Sequence, residues 1–187
     1  MNASDIRTYL DEGARIRNSL DIEKIYNLGN ELSRTFKNGD KLIIFGNGGS
    51  AADAQHIAAE FVGRFEKERK PLPAIILHGN SSSVTAIGND YSYDHVFSRQ
   101  IEAFAKKGDL IIALSTSGNS INVVEAILKG KELGGNIFGI TGRKGGKMKD
   151  MVAEKNLIAI NSDRTSYIQE CTITIGHIIS KIVEDNI

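Results

Sequence analysis

A histidine and a glutamate four residues apart are the first side chains in this sequence that could do chemistry. His56 and Glu60 follow a glycine-rich segment, and their spacing places both on one face of a helix, one turn apart. Such a pair can ligate one metal ion, or one side chain can act as a base that the other orients. The flanking residues are small or apolar, so the pair is expected to face a confined space. An ordinary surface contact on a helix has the same spacing.

Two loops rich in glycine, serine and asparagine indicate a second kind of chemistry, the binding of a phosphate. Each follows a short apolar run and precedes a helical pattern; the loops are Gly46-Asn47-Gly48-Gly49-Ser50 and Ser115-Thr116-Ser117-Gly118-Asn119-Ser120. Backbone N–H groups and the positive end of a helix converge on an anion in such loops. Neither loop matches the nucleotide P-loop or GxGxxG. The pattern predicts a small phosphorylated ligand, although ordinary turns and helix caps use the same residue types.

The closing helical pattern carries two more candidates. His177 lies in an apolar run, which is typical of a histidine in a core or at an interface. Gln169 precedes it by eight residues, or about 12 Å along a helix axis. Both could serve one site only if a metal lay between their extended side chains or if two subunits contributed.

Other polar positions are weaker candidates. His78 ends a predicted strand and is expected at the rim of a site, whereas His95 is expected to be a surface or packing residue. Asn89-Asp90 resembles a turn that could offer hydrogen bonds to sugar hydroxyls. Cys171 has no evident activating base, so we expect it to be structural.

Alternating strands and helices must position these residues. Helices are predicted over residues 4–36, with a break near Asp21, and over 51–65, 92–106, 120–133 and 167–185; strands are predicted over 41–45, 74–77, 110–114, 136–140 and 157–160. This alternation implies right-handed crossovers and a parallel sheet. Ligands bind beyond the carboxyl ends of such strands, and both loops lie there. We therefore expect one site built by several loops, in one domain that spans residues 1–187.

Length and composition narrow the class of protein. A chain of 187 residues suits one domain with a sizeable core. The 23 basic and 23 acidic residues give no net charge, which favours neither nucleic acid nor an acidic membrane surface as a partner. A single cysteine excludes an internal disulfide and fits a cytoplasmic location. No apolar run reaches the roughly 18 residues of a spanning helix.

Taken as a set, the motifs resemble the phosphoheptose isomerase family, within the broader sugar-isomerase (SIS) domain class. The match runs in order across nearly the whole chain and includes residues 46–56, Glu60 with 63–65, 86–91, 115–120, 141–142 with 145–148, 168–170 and 176–178. The resemblance implies a flavodoxin-like, three-layer α/β SIS fold with a central parallel sheet. It also implies a homotetramer with shared sites, for which the N-terminal helical extension, residues 1–37, would be used. The implied reaction interconverts sedoheptulose 7-phosphate and D-glycero-D-manno-heptose 7-phosphate.

The resemblance also implies roles for individual residues. The metal ligands, usually of zinc, fall on His56, Glu60, Gln169 and His177. Glu60 is then the base and His177 the acid of a proton transfer through a cis-enediol. The phosphate-binding residues fall on Ser115, Thr116, Ser117 and Ser120, and the other substrate contacts fall on Asn47, Gly48, Gly49, Glu60, Asn89, Asp90 and Gln169.

Two features qualify this resemblance. The family commonly has an arginine, preceded by threonine or aspartate, where this chain has Ser166-Tyr167, and Ser166 cannot be a comparable base. The family also has non-catalytic relatives, SIS modules that associate with the DnaA initiator, and these tend to lack the metal-site glutamate. Because Glu60 is present, the enzyme reading is favoured over a non-catalytic sugar-phosphate-binding or adaptor protein. The implied pathway is the synthesis of nucleotide-activated heptose for a surface polysaccharide.

Overall fold

The computed structural model describes residues 1–187 and has a five-stranded parallel sheet at its centre. The strands are β1 (Leu42–Phe45), β2 (Ala74–Ile76), β3 (Leu110–Ser115), β4 (Asn136–Gly142) and β5 (Leu157–Ile160). Their spatial order is β2-β1-β3-β4-β5, and every neighbouring pair is parallel. The order reverses direction between β1 and β3, which is where an open α/β sheet forms a ligand crevice.

Eight α-helices accompany the sheet. They are α1 (Ala3–Asn18), α2 (Ile22–Lys37), α3 (Gly49–Val62), α4 (Ser81–Asp90), α5 (Ser98–Phe104), α6 (Ile121–Glu132), α7 (Met148–Met151) and α8 (Thr165–Asn186). Two short 3₁₀ turns, Tyr93–His95 and Glu154–Asn156, precede α5 and β5. None of the helices combines the length and the apolar character needed to cross a bilayer.

The strands bury both faces, which gives a three-layer molecule. Alternate residues of a strand point to opposite faces of the sheet, and β1 shows this with Leu42 and Ile44 in one core cluster and Ile43 and Phe45 in another. The first cluster lies under α2, α3 and α8, and the second lies under α5, α6 and α7. This explains why the strand sequences are continuously apolar. The predicted α/β fold is thereby confirmed.

The N-terminal helices pack beside the closing helix α8. The predicted break at Asp21 is correct, because this side chain accepts a hydrogen bond from the Lys24 backbone N–H and caps α2. Helix α2 packs closely on α8, where a side chain at Gly29 would overlap Ile182. Apolar side chains on the other side of α1 and α2 stay exposed; they are Ile6, Leu10, Ile22 and Tyr26.

The segment between β2 and β3 differs from its prediction. The expected turn at Asn89-Asp90 is wrong, because both residues belong to the last turn of α4. Helix α4 was not predicted, since none of its residues is fully buried and only Val84 and Ile87 pack against the core. The continuous helix expected over 92–106 is wrong as well. A 3₁₀ turn precedes α5 there, and Ser92 has a φ of 126°, which interrupts a helix.

Candidate functional site

The two glycine and hydroxyl loops lie side by side at the carboxyl edge of the sheet. The first leads from β1 into α3 and the second leads from β3 into α6, and β1 pairs directly with β3. Helix α3 begins after Gly48, and α6 begins after Ser120; neither N-terminus has a side-chain cap. Two uncapped helix starts therefore present backbone N–H groups at one crevice, which is the arrangement that favours an anion.

Three side chains from α3 and α8 converge on one another. His56 Nε2 lies 2.9 Å from Glu60 Oε1 and 3.2 Å from His177 Nε2. Each of the three residues offers one possible ligand atom, and these three atoms all lie within 4.8 Å of one another. The close packing of α3 on α8 makes this possible, because a side chain at Gly176 would overlap Ile57. The sequence predicted the three residues, and the fold brings them together.

The donor set of this triad fits a divalent metal ion. Two imidazole nitrogens and a carboxylate oxygen are ligands that zinc takes at about 2.0–2.2 Å, which places neighbouring ligand atoms of a tetrahedral site roughly 3.3–3.6 Å apart. The separations of 2.9 and 3.2 Å around His56 Nε2 are shorter than this, so the side chains would move slightly apart around an ion. His56 is exposed, while Glu60 and His177 are half-buried, so the cluster is open to a substrate. Three protein ligands with an open position are typical of a catalytic zinc site.

Gln169 occupies a different place from the triad. Its side chain lies against Gly49, and any side chain at position 49 would overlap the Gln169 amide. Gly49 precedes His56 by seven residues, or about two turns of α3. Gln169 therefore faces the glycine loop, and its predicted role as a fourth metal ligand stays a prediction.

The hydroxyls of the second loop face one another. Ser115 Oγ and Ser120 Oγ lie 3.2 Å apart, and Ser115 Oγ accepts a hydrogen bond from the Gly118 backbone N–H at 3.2 Å. Ser117 Oγ accepts from the Asn119 N–H, and Thr116 is half-buried beside it. The four hydroxyls are thus held by a short closed loop at the start of α6. Such a loop can surround the oxygens of one phosphate.

A third loop supports the hydroxyl loop from the next strand. Gly118 has a φ of 67°, and a side chain there would collide with the carbonyl of Gly145. The Met148 N–H donates to the Gly118 carbonyl, and the Lys147 N–H donates to Asn119 Oδ1. Only glycine combines that φ with so close an approach. The segment after β4 therefore packs directly against the hydroxyl loop.

Asn47 is held by partners that the sequence did not reveal. Its amide exchanges two hydrogen bonds with Asn122, at 2.8 and 3.0 Å, and Asn122 is buried in the first turn of α6. Tyr93 Oη donates to Asn47 Oδ1 at 3.2 Å. The pair ties the glycine loop to the start of α6. The only signal in the sequence was Asn122, two residues after Ser120. Asparagine is common near the start of a helix without pairing to a second loop.

Phe65 is a second residue near the site that the sequence did not single out. Its ring stacks on His177 with 5.6 Å between the ring centres and an angle of 25°. His177 also packs at an angle against His56, with 5.2 Å between centres. The imidazole of His177 is therefore held between an aromatic ring and a second imidazole, which restricts its rotation.

The weaker candidates lie apart from the triad. Asn89 and Asp90 are exposed at the end of α4 and hydrogen-bond to each other at 2.7 Å. His95 is exposed, as expected. His78 follows β2 with both ring nitrogens buried and without a hydrogen-bond partner, and burial lowers its pKa. Burial raises the pKa of the Cys171 thiol, which agrees with a structural role.

One further carboxylate lies close to the triad on α3. Burial raises the pKa of Asp53 to about 6, and the charge of a protonated His56 opposes this increase. Its Oδ2 atom is buried without a hydrogen-bond partner. A carboxyl with so high a pKa is partly protonated near neutral pH.

The position of the family arginine is occupied here by a buried tyrosine. Tyr167 Oη lies 3.0 Å from the Tyr9 carbonyl oxygen and 3.1 Å from Glu12 Oε2, and the guanidinium of Arg164 lies over its ring. Ser166 beside it is exposed. Tyr167 thus fastens α1 to α8.

Comparison with protein families gives one match over most of the chain. The model described as SIS domain matches residues 8–142. A probable phosphoheptose isomerase of Thermoplasma acidophilum is 53% identical over 181 residues, which cover 97% of this chain and 98% of that protein.

Solved structures agree with the sequence relatives. The phosphoheptose isomerase of Neisseria gonorrhoeae is 35% identical and superimposes with a TM-score of 0.90, covering 97% of this chain and 98% of that chain. A phosphoheptose isomerase from Francisella tularensis is 30% identical with a TM-score of 0.93, covering 99% of this chain and all of that chain. Both similarities extend over the N-terminal helices as well as the sheet.

Proposed function

This chain belongs to the phosphoheptose isomerase family of SIS-domain proteins, and we propose that it interconverts D-sedoheptulose 7-phosphate and D-glycero-D-manno-heptose 7-phosphate. It is an aldose–ketose isomerase that acts on a heptose phosphate. The observation that carries the proposal is the convergence of His56, Glu60 and His177, whose ligand atoms lie within 4.8 Å of one another, in a chain that also carries the hydroxyl loop at the start of α6. The triad can transfer protons, and the hydroxyl loop can hold a phosphate.

The reaction moves one proton between neighbouring carbons of the sugar. We propose that the Glu60 carboxylate removes the proton from C1 of the ketose or C2 of the aldose, and returns it to the other carbon through a cis-enediol. His177 exchanges the accompanying proton with the oxygens at C1 and C2, since an imidazole can both donate and accept a proton. The phosphate loop anchors the far end of the sugar, so that binding energy orients the two reacting carbons.

We propose that one zinc ion per site completes the machinery, with His56, Glu60 and His177 as ligands. A bound divalent ion would polarise the carbonyl and hydroxyl oxygens of the sugar and stabilise the charge that develops there. Gln169 is proposed as the fourth ligand or as a substrate contact, supplied either by the same chain or by a second copy. Its place at Gly49 favours a contact with the substrate beside the glycine loop.

The substrate contacts are proposed from the same crevice. Ser115, Thr116, Ser117 and Ser120 would hold the phosphate, since their hydroxyls share one loop at the start of α6. The remaining contacts would come from the glycine loop and the end of α4; they are Asn47, Gly48, Gly49, Asn89 and Asp90.

We further propose a homotetramer with shared active sites. Four large apolar side chains on α1 and α2 support it, since Ile6, Leu10, Ile22 and Tyr26 are 50–76% exposed. Clustered apolar exposure of this kind marks an interaction surface.

We also propose a cytoplasmic location, which a phosphorylated sugar substrate and a single buried cysteine support. The product would enter the synthesis of nucleotide-activated heptose for lipopolysaccharide, capsule or another surface glycan.

A direct assay tests this function. Purified protein is incubated with sedoheptulose 7-phosphate, with and without a chelator, and formation of the aldose is followed. We expect turnover that a chelator abolishes and that added Zn²⁺ restores. A folded protein that binds the sugar phosphate and never converts it would support the non-catalytic reading instead, which the intact triad disfavours.

A further inference from the structure

A buried carboxylate in the last turn of α8 holds the loop that follows α3. Glu184 is only 6% exposed, and its two oxygens accept hydrogen bonds from three consecutive backbone N–H groups, those of Phe65, Glu66 and Lys67, at 2.9–3.0 Å. Taking a charge out of water is costly unless donors surround it. These three donors therefore fix the loop against α8 at one place.

Arg69 joins the same carboxylate to the end of α3. Its Nε lies 3.4 Å from Glu184 Oε1, and both side chains are nearly inaccessible to solvent, at 10% and 0%. One terminal nitrogen donates to the carbonyl of Glu60 at 2.6 Å, and the other donates to the carbonyl of Phe61 at 2.9 Å. The guanidinium thus satisfies carbonyls that the end of a helix leaves without partners.

This network reaches the triad from two sides. Arg69 holds the backbone of Glu60, and Glu184 holds the backbone of Phe65, whose ring stacks on His177. Glu184 follows His177 by seven residues, so the two lie two turns apart on the same side of α8. The buried ion pair of Arg69 and Glu184 is therefore linked to Glu60 through its backbone and to His177 through the Phe65 ring.

Resting on the proposed function, we propose that Glu184 and Arg69 are positioning residues for the active site. Their pair sets the angle of the Phe65 ring on His177 and the position of the α3 turn that carries Glu60. Neither residue touches the triad side chains directly, so they act through Phe65 and through the Glu60 backbone. Residues that orient ligands in this way typically change metal affinity or activity about 10–100-fold when they are replaced.

The test uses Glu184→Gln, which keeps the shape of the side chain and removes its charge. Two quantities are measured on the purified, full-length protein. They are the affinity for Zn²⁺ alone, by competition with a chromophoric chelator, and kcat and KM for sedoheptulose 7-phosphate. We expect Zn²⁺ affinity and kcat to fall about 10–100-fold. KM for the sugar phosphate should stay close to that of the wild type, because the hydroxyl loop lies on α6 and is not part of the network.

Asp185→Asn is the matched control. Asp185 is the next residue of α8 and pairs with Lys67 of the same loop, but both side chains are about half exposed. Exposed ion pairs contribute little, so this variant should keep the Zn²⁺ affinity and kcat of the wild type.

A second variant covers the case in which Glu184→Gln does not fold. Phe65→Leu removes the ring over His177 and leaves the buried ion pair intact, and it too should lower Zn²⁺ affinity and kcat. If Glu184→Gln is folded and keeps the Zn²⁺ affinity and kcat of the wild type, the proposal is wrong. If circular dichroism shows that Glu184→Gln is unfolded, Phe65→Leu decides instead. Wild-type Zn²⁺ affinity and kcat in Phe65→Leu would then overturn the proposal. A wild type without turnover contradicts the proposed function instead, and the Zn²⁺ affinities still decide the positioning role.

Discussion

The Nε2 atoms of His56 and His177 lie 3.2 Å apart, although 121 residues separate the two positions in the sequence. Two neutral imidazole nitrogens cannot both direct lone pairs at each other without repulsion, so a proton or a cation must lie between them. Glu60 Oε1 lies 2.9 Å from the same His56 atom. The three side chains therefore form one connected unit in which a proton or a cation is shared.

The first prediction concerns metal loading. His56→Ala and His177→Ala each remove one of three ligands, and either should lose most bound metal because three protein ligands are the usual minimum for a catalytic zinc site. Elemental analysis of protein purified without added metal should find about one divalent ion per wild-type chain. His95→Ala is the control, since His95 is exposed and lies outside the triad. A metal-free wild type that is fully active and indifferent to chelators would refute the metal site.

The second prediction concerns the phosphate loop. Ser117→Ala and Ser120→Ala should each raise KM for the phosphorylated sugar, because each lost hydrogen bond to a charged group costs on the order of 1.5–3 kcal/mol. The Ser120 hydroxyl contacts only Ser115 in the loop and makes no cap for α6, so it is free to bind a ligand. Steady-state kinetics checks this. Unchanged KM in both variants means that the phosphate lies elsewhere.

The sequence predicted the sheet and the His56–Glu60 pair because both depend on local patterns, whereas only the family resemblance assigned His177 to the same site. Each strand is a short apolar run, and His56 and Glu60 have helical spacing. Helix α4 was missed because only two of its side chains, Val84 and Ile87, pack against the core, and because Ser81–Asp90 include weak helix formers such as serine, threonine and glycine. Its start depends on the Asn80 side chain, which caps the Ser83 N–H.

The supporting contacts of the site could not be read from the sequence at all. Glu184 lies in what looked like the charged, solvated end of a helix. Its burial arises only because residues 65–67 pack on it from 117–119 positions away in the chain. The Asn47–Asn122 pair is likewise formed across 75 positions. Contacts between residues so far apart in the chain leave no periodic pattern of apolar residues, and such patterns are the main structural signal in a single sequence.

The third prediction concerns assembly. Leu10→Glu places a charge among the exposed apolar side chains of α1, and it should shift the proposed tetramer towards smaller species because a buried unpaired charge is costly. Light scattering at micromolar concentration measures the mass. Arg7→Glu is the control, since Arg7 is an exposed polar residue of the same helix. A wild type that is a stable, active monomer would contradict the tetramer.

The fourth prediction concerns stability in acid. Burial acts to raise the pKa of Glu184, but hydrogen bonds from the backbone of residues 65–67 and the charge of Arg69 outweigh it and hold this pKa below its usual value of 4.5. A carboxyl with a lowered pKa in the folded state stabilises the protein above pH 4.5, and this contribution is lost as the pH falls through the folded pKa. In Glu184→Gln, the free energy of unfolding should therefore fall less steeply below that pH.

Denaturant unfolding of both proteins from neutral pH to about pH 3 measures this difference. Asp185→Asn serves for comparison. Hydrogen bonds from Lys67 lower the pKa of Asp185 as well, but this pair is exposed, so high salt should screen its effect. The Glu184 effect should persist in high salt because that carboxylate is buried. Parallel stability curves for wild type and Glu184→Gln would show that the carboxylate is not charged in the folded state.

The last prediction concerns the base. Glu60→Gln keeps the shape of the side chain but removes the only carboxylate of the triad, so it should nearly abolish isomerisation. General acid–base groups typically contribute about 10²–10⁴-fold to a rate. The sharper measurement is the uptake of solvent deuterium at C2 of the aldose or C1 of the ketose. In the wild type the proton held by Glu60 can exchange with solvent before it returns to carbon, so we expect deuterium uptake there and almost none in Glu60→Gln.

Glu68→Gln is the matched control for this experiment. Glu68 lies eight residues further along the chain, its side chain is 90% exposed and it contacts only Arg64 at 3.8 Å. Its loss should leave both turnover and deuterium uptake unchanged, because a solvated carboxylate has no fixed place beside the sugar carbons. His177→Gln should slow turnover as well but retain exchange at carbon, since it moves protons on oxygen. If Glu60→Gln is folded and still exchanges deuterium at the rate of the wild type, another group removes the proton from carbon.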